Sequence, residues 1–257
     1  MSNIERAREV IATIPGWGGA SVSELAGGLT NKNYLVEDDR RRGVLKIDAT
    51  PRSSPLNSRA EEAAVQKQGE QAGLANRVLY FDETTYLVEY VAGEVWTPQH
   101  LDEDEKLLQL VAALRKLHAM PLTGRVFDAV SAADLYRAEL EGADASLAKE
   151  HVAIIESMRR PLNLCCCHND LVSANILTTP ELRFLDWEYA RDNDPFFDLA
   201  TVVEHHELSD ERAEFLLNAY FDGDGMRWRK QLADQQRLYR SLLWLWSAAR
   251  RRLFPDV

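Results

Sequence analysis

Cysteine is scarce in this sequence of 257 residues, and long apolar runs are absent. The three cysteines are consecutive, Cys165 to Cys167, so they cannot supply a framework of disulfides. No apolar run approaches the roughly 20 residues that span a bilayer. The N-terminus, Met-Ser-Asn-Ile-Glu-Arg, lacks the basic and then apolar regions of a signal peptide. These absences predict a soluble, cytoplasmic protein.

Positive charge is also in short supply. Lysine and arginine number 30 against 41 acidic residues, which gives a net charge of -11. Proteins that bind nucleic acid or anionic membranes usually present basic surfaces, so neither is expected as a partner here. A small cationic molecule is the expected partner, and the sequence leaves the oligomeric state open.

The pattern of apolar residues changes along the chain and predicts two lobes. Residues 1–91 read mainly as strands, whereas residues 92–257 read mainly as helices around a non-helical island, Leu162–Asp198. The hinge between the lobes is expected near Glu89–Glu94. The predicted helices are Ile4–Ile14, one that Ser58 caps and that reaches Ala72, Asp102–Ala119, residues 132–160, one that Ser209 caps and that reaches Tyr220, and Met226–Leu253. The predicted strands lie within Ser21–Glu37, Val44–Ile47, Val78–Phe81, Tyr86–Val91 and Leu162–Cys167, with a loop at Thr50–Pro55.

The non-helical island contains a loop with an unusual set of polar residues. The run Cys166-Cys-His-Asn-Asp-Leu-Val-Ser-Ala-Asn175 places Asp170 and Asn175 five residues apart after an apolar strand. A carboxylate can accept a proton from a hydroxyl, while an amide oxygen suits Mg²⁺. A plain polar turn capped by Asp170 is the alternative that this segment alone leaves open.

A second carboxylate, Asp186, follows a short apolar strand in the run Phe184-Leu-Asp-Trp-Glu-Tyr189. A charge at that place needs a cation or a hydrogen-bonding role, and Asp186 could supply a second oxygen ligand to Mg²⁺ beside Asn175. Along the chain, the two segments supply a proton acceptor, Asp170, then an amide ligand for the metal, Asn175, and then a carboxylate ligand for the metal, Asp186. This order is typical of the catalytic loop of protein kinases and the aspartate that follows it.

Lys46 interrupts an otherwise apolar strand, Val44–Ile47. In a kinase site such a lysine binds phosphates and is positioned by a glutamate on the next helix. Glu62 is preferred to Glu61 for that role, because Arg59 and Glu62 are one helical turn apart. A lysine that faces water from an edge strand is the alternative.

A glycine turn, Gly27-Gly-Leu-Thr-Asn-Lys-Asn33, joins two predicted strands. Backbone amides exposed by such a turn can bind phosphate, which makes Gly27, Gly28, Thr30 and Asn31 candidate nucleotide-binding residues. A plain hairpin would have the same appearance.

These motifs together resemble the choline and ethanolamine kinases, and the bacterial choline kinases in particular, within the wider group of aminoglycoside-phosphotransferase-like kinases. The resemblance rests on the glycine turn, on Cys-His-Asn-Asp170 with Asn175, and on Asp186-Trp-Glu-Tyr189 followed by Phe197-Asp-Leu-Ala200. It implies an α+β, two-lobed protein-kinase-like fold, with a small antiparallel-sheet N-terminal lobe and a larger, mainly helical C-terminal lobe. It also implies ATP, Mg²⁺ and phosphoryl transfer to a small alcohol.

By the same resemblance, each matched residue receives a role. Asp170 is the catalytic base, Asn175 and Asp186 hold Mg²⁺, and Lys46 binds the phosphates with the help of Glu62.

The resemblance extends to the hinge and to two bracing residues. The segment Val88–Gly93 is similar to the kinase hinge, where the Glu89 carbonyl and the Val91 amide would meet adenine. His168 and Asp198 match positions that brace the catalytic loop and are expected to be structural.

Recognition of the alcohol is expected to depend on aromatic rings and carboxylates, because a quaternary ammonium donates no hydrogen bond. Glu188 and Tyr189 are the candidates beside the metal carboxylate, with Trp187 as a further one. In the last helix Trp246 is the expected pocket residue. Trp244 is turned away by about 200° and is expected to pack, although both tryptophans could be packing residues.

Choline is the expected substrate on these grounds. Ethanolamine, thiamine and aminoglycosides stay open as substrates of a sister kinase. A kinase-like protein that binds without catalysis is the alternative from a different class.

Two other groupings receive structural interpretations. Cys165-Cys-Cys-His168 contains zinc-ligand residue types, but neighbours on a strand point to opposite faces and cannot surround one ion. The cysteines are therefore expected to be small buried residues. His205 and His206 are expected to form a pair on a helix surface.

Overall fold

The computed structural model describes residues 3–25, 33–48, 58–158 and 163–253. The chain forms two compact units. The first comprises Met1–Glu94 and Leu177–Tyr189, and the second comprises Val95–Ile176 and Ala190–Val257. Each unit is therefore built from two separate stretches of chain, and the segment that contains Asp186 belongs to the first.

The helices and strands of the described residues follow in chain order. The helices are α1 (Asn3–Thr13), α2 (Arg59–Gln71), α3 (Asp104–His118), α4 (Ala129–Ala138), α5 (Gly142–Ser157), α6 (Pro195–His205), α7 (Asp210–Tyr220) and α8 (Arg229–Leu253). The strands are β1 (Ser21–Leu25), β2 (Asn33–Glu37), β3 (Arg42–Ile47), β4 (Val78–Phe81), β5 (Thr85–Glu89), β6 (Glu94–Val95), β7 (Cys165–Cys167), β8 (Ile176–Thr178), β9 (Leu182–Phe184) and β10 (Arg191–Asn193). Short 3₁₀ helices cover Pro98–Asp102, Ser173–Asn175, Trp187–Tyr189 and Gly225–Trp228. Of the helices in the described ranges, none is both long and apolar enough to cross a membrane.

A five-stranded antiparallel sheet organises the first unit, in the order β1-β2-β3-β5-β4. Strand β3 lies at its centre, with Lys46 opposite Asn33 of β2 and Tyr86 of β5. Because neighbouring residues of a strand point to opposite faces, Leu45 enters the core while Lys46 faces the other side. The core beside α1 comprises Ala7, Ile11, Ile14, Trp17, Val22, Tyr34, Val36, Leu45 and Leu87.

Helix α2 begins where the sequence predicts, because Ser58 forms a complete capping box. Its Oγ accepts a hydrogen bond from the Glu61 amide, and the Glu61 carboxylate accepts one from the Ser58 amide at 3.1 Å. Such a cap contributes about 1 kcal/mol to the stability of the helix. The cap uses the carboxylate of Glu61 and not that of Glu62, the next residue.

The second unit is mainly helical, and α8 packs against α4, α5 and α6. The apolar positions of α3 form the expected stripe, except that Leu108 is exposed. Its buried members are Leu107, Leu110, Val111, Leu114 and Leu117. An antiparallel sheet near the N-terminus and a larger helical part confirm the predicted α+β fold.

Two predicted stretches differ from the structure. Residues 132–160, taken as one helical region, contain two helices with a break before Gly142, whose φ of 60° is costly for other residues. The island Leu162–Asp198 is not wholly non-helical, because α6 begins at Pro195. Asp194 caps this helix by accepting a hydrogen bond from the Phe196 amide.

Candidate active site

Lys46 is a buried cation in the middle of the first unit. Its Nζ lies 2.8 Å from Asp186 Oδ1 and 4.0 Å from Glu62 Oε1. The side chain is 9% exposed, and β3 has neighbours on both sides. The alternative of an edge-strand lysine facing water is therefore wrong.

Glu62 is held in place by an arginine. Arg59 Nη1 donates to Glu62 Oε2 at 2.6 Å, and the same guanidinium makes two hydrogen bonds of 2.8 Å to the Asp48 carboxylate. All three side chains are buried. The structure thus brings Glu62, rather than Glu61, beside Lys46.

The charge of Lys46 is maintained despite its burial. Burial alone would lower the pKa of Lys46, but the negative charges of Asp186, Glu62 and Glu188 outweigh it and raise that pKa. The ammonium group is therefore charged at neutral pH. A buried ammonium surrounded by three carboxylates is a suitable site for phosphates together with a cation that neutralises the carboxylates.

Asp186 follows β9 and has a left-handed backbone, with φ of 61°. The preceding strand is joined to the first unit by a hydrogen bond of 2.7 Å from the Phe184 amide to the Leu74 carbonyl. The next residue, Trp187, is 1% exposed and packs so closely on Gly69 of α2 that a Cβ there would lie 2.7 Å from its ring. Trp187 is thus a packing residue that positions Asp186, and its consideration as an aromatic pocket residue was wrong.

Asp170 and Asn175 lie together in the second unit. Asn175 Nδ2 donates to Asp170 Oδ2 and to the Asp170 backbone oxygen, both at 2.9 Å. The amide nitrogen is thereby used, so the amide oxygen is the atom that Asn175 can offer to a cation. The amide oxygen of Asn175 and the carboxylate of Asp186 are hard donors that suit Mg²⁺.

The loop that carries Asp170 is fixed by Asp198. The fully buried Asp198 accepts hydrogen bonds from the amides of His168 and Asn169, at 2.9 and 2.7 Å. Asn169 has φ of 63°, a conformation that asparagine tolerates better than most residues. Asp198 therefore has the bracing contacts expected of it.

Three residues that the sequence interpretation missed adjoin these groups. His118 Nε2 lies 3.1 Å from Asp198 Oδ2. Tyr239 of α8 is buried, and its pKa is raised by burial and by the charges of Asp170 and Glu204. Asn193 donates to Asn169 Oδ1 at 2.8 Å. No spacing rule in the sequence points to them, since each comes from a distant part of the chain.

The expected nucleotide contacts are only partly visible. Gly27, Gly28, Thr30 and Asn31 lie outside the described residues, as does the loop Thr50–Pro55. Strand β5 ends at Glu89, two residues earlier than expected. The Glu89 carbonyl accepts a hydrogen bond of 3.2 Å from Asn76 Nδ2, which leaves one lone pair for adenine. The roles of Glu89 and Val91 stay predictions.

The expected cation-binding residues are distributed over both units. Glu188 is 7% exposed and acts on Lys46 within the first unit, where Tyr189 is partly exposed. In the second unit Trp244 stacks on His151 of α5, with ring centroids 4.4 Å apart. The Arg250 guanidinium lies 5.6 Å from the Trp246 ring centroid. One cation is thus already near Trp246.

The expectation that His205 and His206 form a surface pair was wrong for His206, which is 4% exposed. Burial, with the neighbouring charge of His205, lowers the pKa of His206 to about 4, against about 6.5 in an unfolded chain. The folded state therefore disfavours protonation. The contribution of His206 to the stability of the fold is therefore fully present above about pH 6.5 and is lost as the pH falls toward 4.

We expect this histidine to lower the free energy of unfolding by on the order of 3 kcal/mol between pH 7 and pH 4. Urea denaturation at several pH values measures the slope. In His206→Gln the loss of unfolding free energy between pH 7 and pH 4 should be smaller by that amount. In His205→Gln, at a half-buried position, the loss should change less. Equal slopes in wild type and His206→Gln would show that His206 does not govern acid stability.

Comparison with known proteins shows similarity along most of the chain. The model of the phosphotransferase enzyme family matches residues 21–235. Protein LicA from Haemophilus influenzae is 35% identical over 207 residues, which are 76% of this chain and 61% of that relative. Thiamine kinase from Salmonella typhi is 30% identical over 195 residues, 72% of this chain and 69% of the relative.

Among solved structures, choline kinase LicA from Streptococcus pneumoniae has the same fold. Its TM-score is 0.77 at 22% identity, and the match covers 98% of this chain and 92% of the other. The matched family region includes the sheet, Lys46, Asp170, Asn175 and Asp186. This chain belongs to the phosphotransferase enzyme family.

Proposed function

We propose that this protein is an ATP- and Mg²⁺-dependent kinase that phosphorylates the hydroxyl of a small cationic alcohol, with choline as the substrate. The observation that carries the proposal is the contact between the buried Lys46 and the half-buried Asp186, with the buried Glu62 as a second carboxylate near the lysine. Burying charged groups is costly unless they are paired or bind an ion. A phosphate-binding cation next to a metal-binding carboxylate accounts for that cost.

Asp170 is the proposed general base. Its Oδ2 accepts the hydrogen bond from Asn175, which holds the carboxylate in one orientation. Asp198 holds the backbone of the same loop through its two amide hydrogen bonds. A carboxylate fixed in this way can accept the proton of an alcohol as the alcohol attacks the phosphoryl group.

Asn175 and Asp186 are the residues that would hold Mg²⁺. When bound, Mg²⁺ supplies positive charge to the phosphate oxygens of the nucleotide. Lys46 supplies a fixed positive charge of its own, and Glu62 keeps its ammonium group oriented. The proposed nucleotide contacts of Gly27, Gly28, Thr30, Asn31, Glu89 and Val91 complete this assignment.

Choline is favoured over other alcohols by similarity and by charge. The relative with the name LicA is 35% identical to this chain, against 30% for the thiamine kinase, and a solved LicA structure is that of a choline kinase. Choline and thiamine are both permanently cationic alcohols with a primary hydroxyl. Glu188, Tyr189 and Trp246 are the residues proposed to contact such a cation.

The proposal is tested by measuring ATP consumption with choline, ethanolamine, thiamine and kanamycin as acceptors. The expected result is the highest kcat/KM for choline. The control is the uncharged isostere of choline in which carbon replaces the quaternary nitrogen, which should be a poor substrate if charge is recognised. Turnover of thiamine or kanamycin but not choline would overturn the substrate. A folded protein that binds MgATP yet phosphorylates none of these acceptors would favour the binding protein without catalysis.

The two tryptophans of α8 give a test of the cation site. A cation on an aromatic ring contributes about 0.5 to 2 kcal/mol, so Trp246→Ala is expected to raise the KM for choline between about 2- and 30-fold. Trp244 stacks on His151 instead. We therefore expect Trp244→Ala to lower the free energy of unfolding by on the order of 2 kcal/mol with little change in KM. Equal increases of KM in the two variants would refute the separation of their roles.

A further inference from the structure

A group of sulfur and nitrogen atoms lies beside the loop of Asp170 but takes no part in the proposed reaction. Cys165 and Cys167 are alternate residues of β7 and so point to the same face, with their Sγ atoms 3.5 Å apart. His118, the last residue of α3, reaches the same place. One ligand atom from each of the three lies within 4.8 Å of the other two.

The imidazole of His118 is oriented as in a metal site. Asp198 Oδ2 lies 3.1 Å from its Nε2, which places the proton on Nε2 and the lone pair on Nδ1. In histidines that bind metals, the ring nitrogen that is not a ligand usually donates a hydrogen bond through its N–H to a carboxylate in this way. Nδ1 lies 2.7 Å from Tyr220 Oη.

The thiols have only weak competitors for their sulfur atoms. Their contacts to the carbonyl oxygens of Asn193 and Asp194 are 3.6 to 3.7 Å long. Cys167 is fully buried, whereas Cys165 is partly exposed. The expectation that the cysteine run cannot hold zinc considered only residues that are adjacent in the strand. It did not consider Cys165 and Cys167, which point to the same face, together with the distant His118.

We propose that His118, Cys165 and Cys167 form a binding site for a thiophilic divalent cation such as Zn²⁺. Two thiolates and one imidazole are three of the four ligands that Zn²⁺ commonly takes, and solvent or Tyr220 Oη completes the set. This donor set excludes Mg²⁺, which prefers oxygen. Binding displaces the thiol protons, which are released to solvent as the metal–sulfur bonds form.

The site has a direct connection to the catalytic loop. Cys167 is followed by His168 and Asn169, whose amides bind Asp198, and the same carboxylate faces His118. An ion bound to His118 is therefore linked through the Asp198 carboxylate to the backbone that positions Asp170. The binding test below does not require kinase activity, so it stands apart from the test of the proposed function.

The experiment uses the full chain after treatment with a chelator and titrates it with Co²⁺, which reports thiolate ligation by a charge-transfer absorption band. We expect one Co²⁺ per chain, with the band abolished when Zn²⁺ replaces it. Cys165→Ala, Cys167→Ala and His118→Asn should each weaken binding by more than about 10-fold. Cys166→Ala is the matched control, because Cys166 lies on the opposite face of the same strand, and it should bind as wild type does.

Absence of the thiolate band in the wild-type protein would overturn the proposal, and so would an equal loss in Cys166→Ala. If a variant at a buried position fails to fold, the site is tested in the wild-type chain by the protection of Cys165 from alkylation. Zn²⁺ should slow alkylation of Cys165 by iodoacetamide at least about 10-fold, as read by mass spectrometry. An unchanged alkylation rate at saturating Zn²⁺ would exclude the site.

Discussion

Replacement of Asp170 by asparagine is expected to lower kcat at least about 100-fold and to leave the KM for ATP nearly unchanged. Asparagine has the same shape but cannot take up the proton of the alcohol. Its amide oxygen can still accept the hydrogen bond that Asn175 Nδ2 gives to Asp170 Oδ2, so the loop is kept. A 100-fold loss equals about 2.7 kcal/mol of transition-state stabilisation. Steady-state kinetics with choline and ATP measures both constants.

Asp222→Asn is the control for this change. Asp222 belongs to the same unit, its side chain is 84% exposed, and its φ of 53° is one that asparagine tolerates. Its surface ion pair with Arg115 contributes at most about 1 kcal/mol, and turnover should stay near that of wild type. If Asp170→Asn is folded by circular dichroism and retains more than a tenth of the turnover, Asp170 is not the base.

Features that depend on a few neighbouring residues could be predicted from the sequence. Ser58 marks the start of α2 because its cap needs only Glu61, three residues on. A lysine within an apolar strand indicates a buried charge, and the structure shows that Lys46 is buried. The preference for Glu62 also came from local spacing, and the hydrogen bond from Arg59 gives it a physical basis.

Contacts between distant residues could not be predicted in the same way. The segment 177–189 joins the first unit through the bond from Phe184 to Leu74 and through the packing of Trp187 on Gly69. These partners are more than 100 residues apart, so no periodicity or turn motif links them. The boundaries expected at residues 91 and 92 treat each lobe as one continuous stretch for the same reason.

The same limit applies to the surroundings of the loop that contains Asp170. His118 ends a helix whose other residues show ordinary amphipathic spacing, so nothing in its neighbourhood singles it out. Its importance comes from the buried Asp198, 80 residues further along the chain. The buried position of His206 was missed likewise, because it follows from packing around the end of α6 rather than from its own sequence.

Asp186→Asn is expected to lower kcat/KM for choline phosphorylation at least about 100-fold and to weaken the dependence of ATP binding on Mg²⁺. The neutral amide loses the charge that attracts a divalent cation. It also loses the ion pair of 2.8 Å with Lys46. Asparagine is preferred to alanine here because the φ of 61° would add about 1 kcal/mol of strain to alanine, which would mix a folding defect with the loss of function.

Calorimetric titration with ATP at several Mg²⁺ concentrations separates metal binding from catalysis. In the wild-type protein ATP affinity should rise steeply with Mg²⁺, and MgATP should raise the melting temperature by mass action. In Asp186→Asn both effects should shrink, whereas Asp39→Asn, an exposed aspartate of the same unit, should behave as wild type. Lys46 keeps Glu62 at 4.0 Å and the negative charge of Glu188, so the fold should survive. A folded Asp186→Asn protein with unchanged Mg²⁺ dependence would show that Asp186 does not hold the metal.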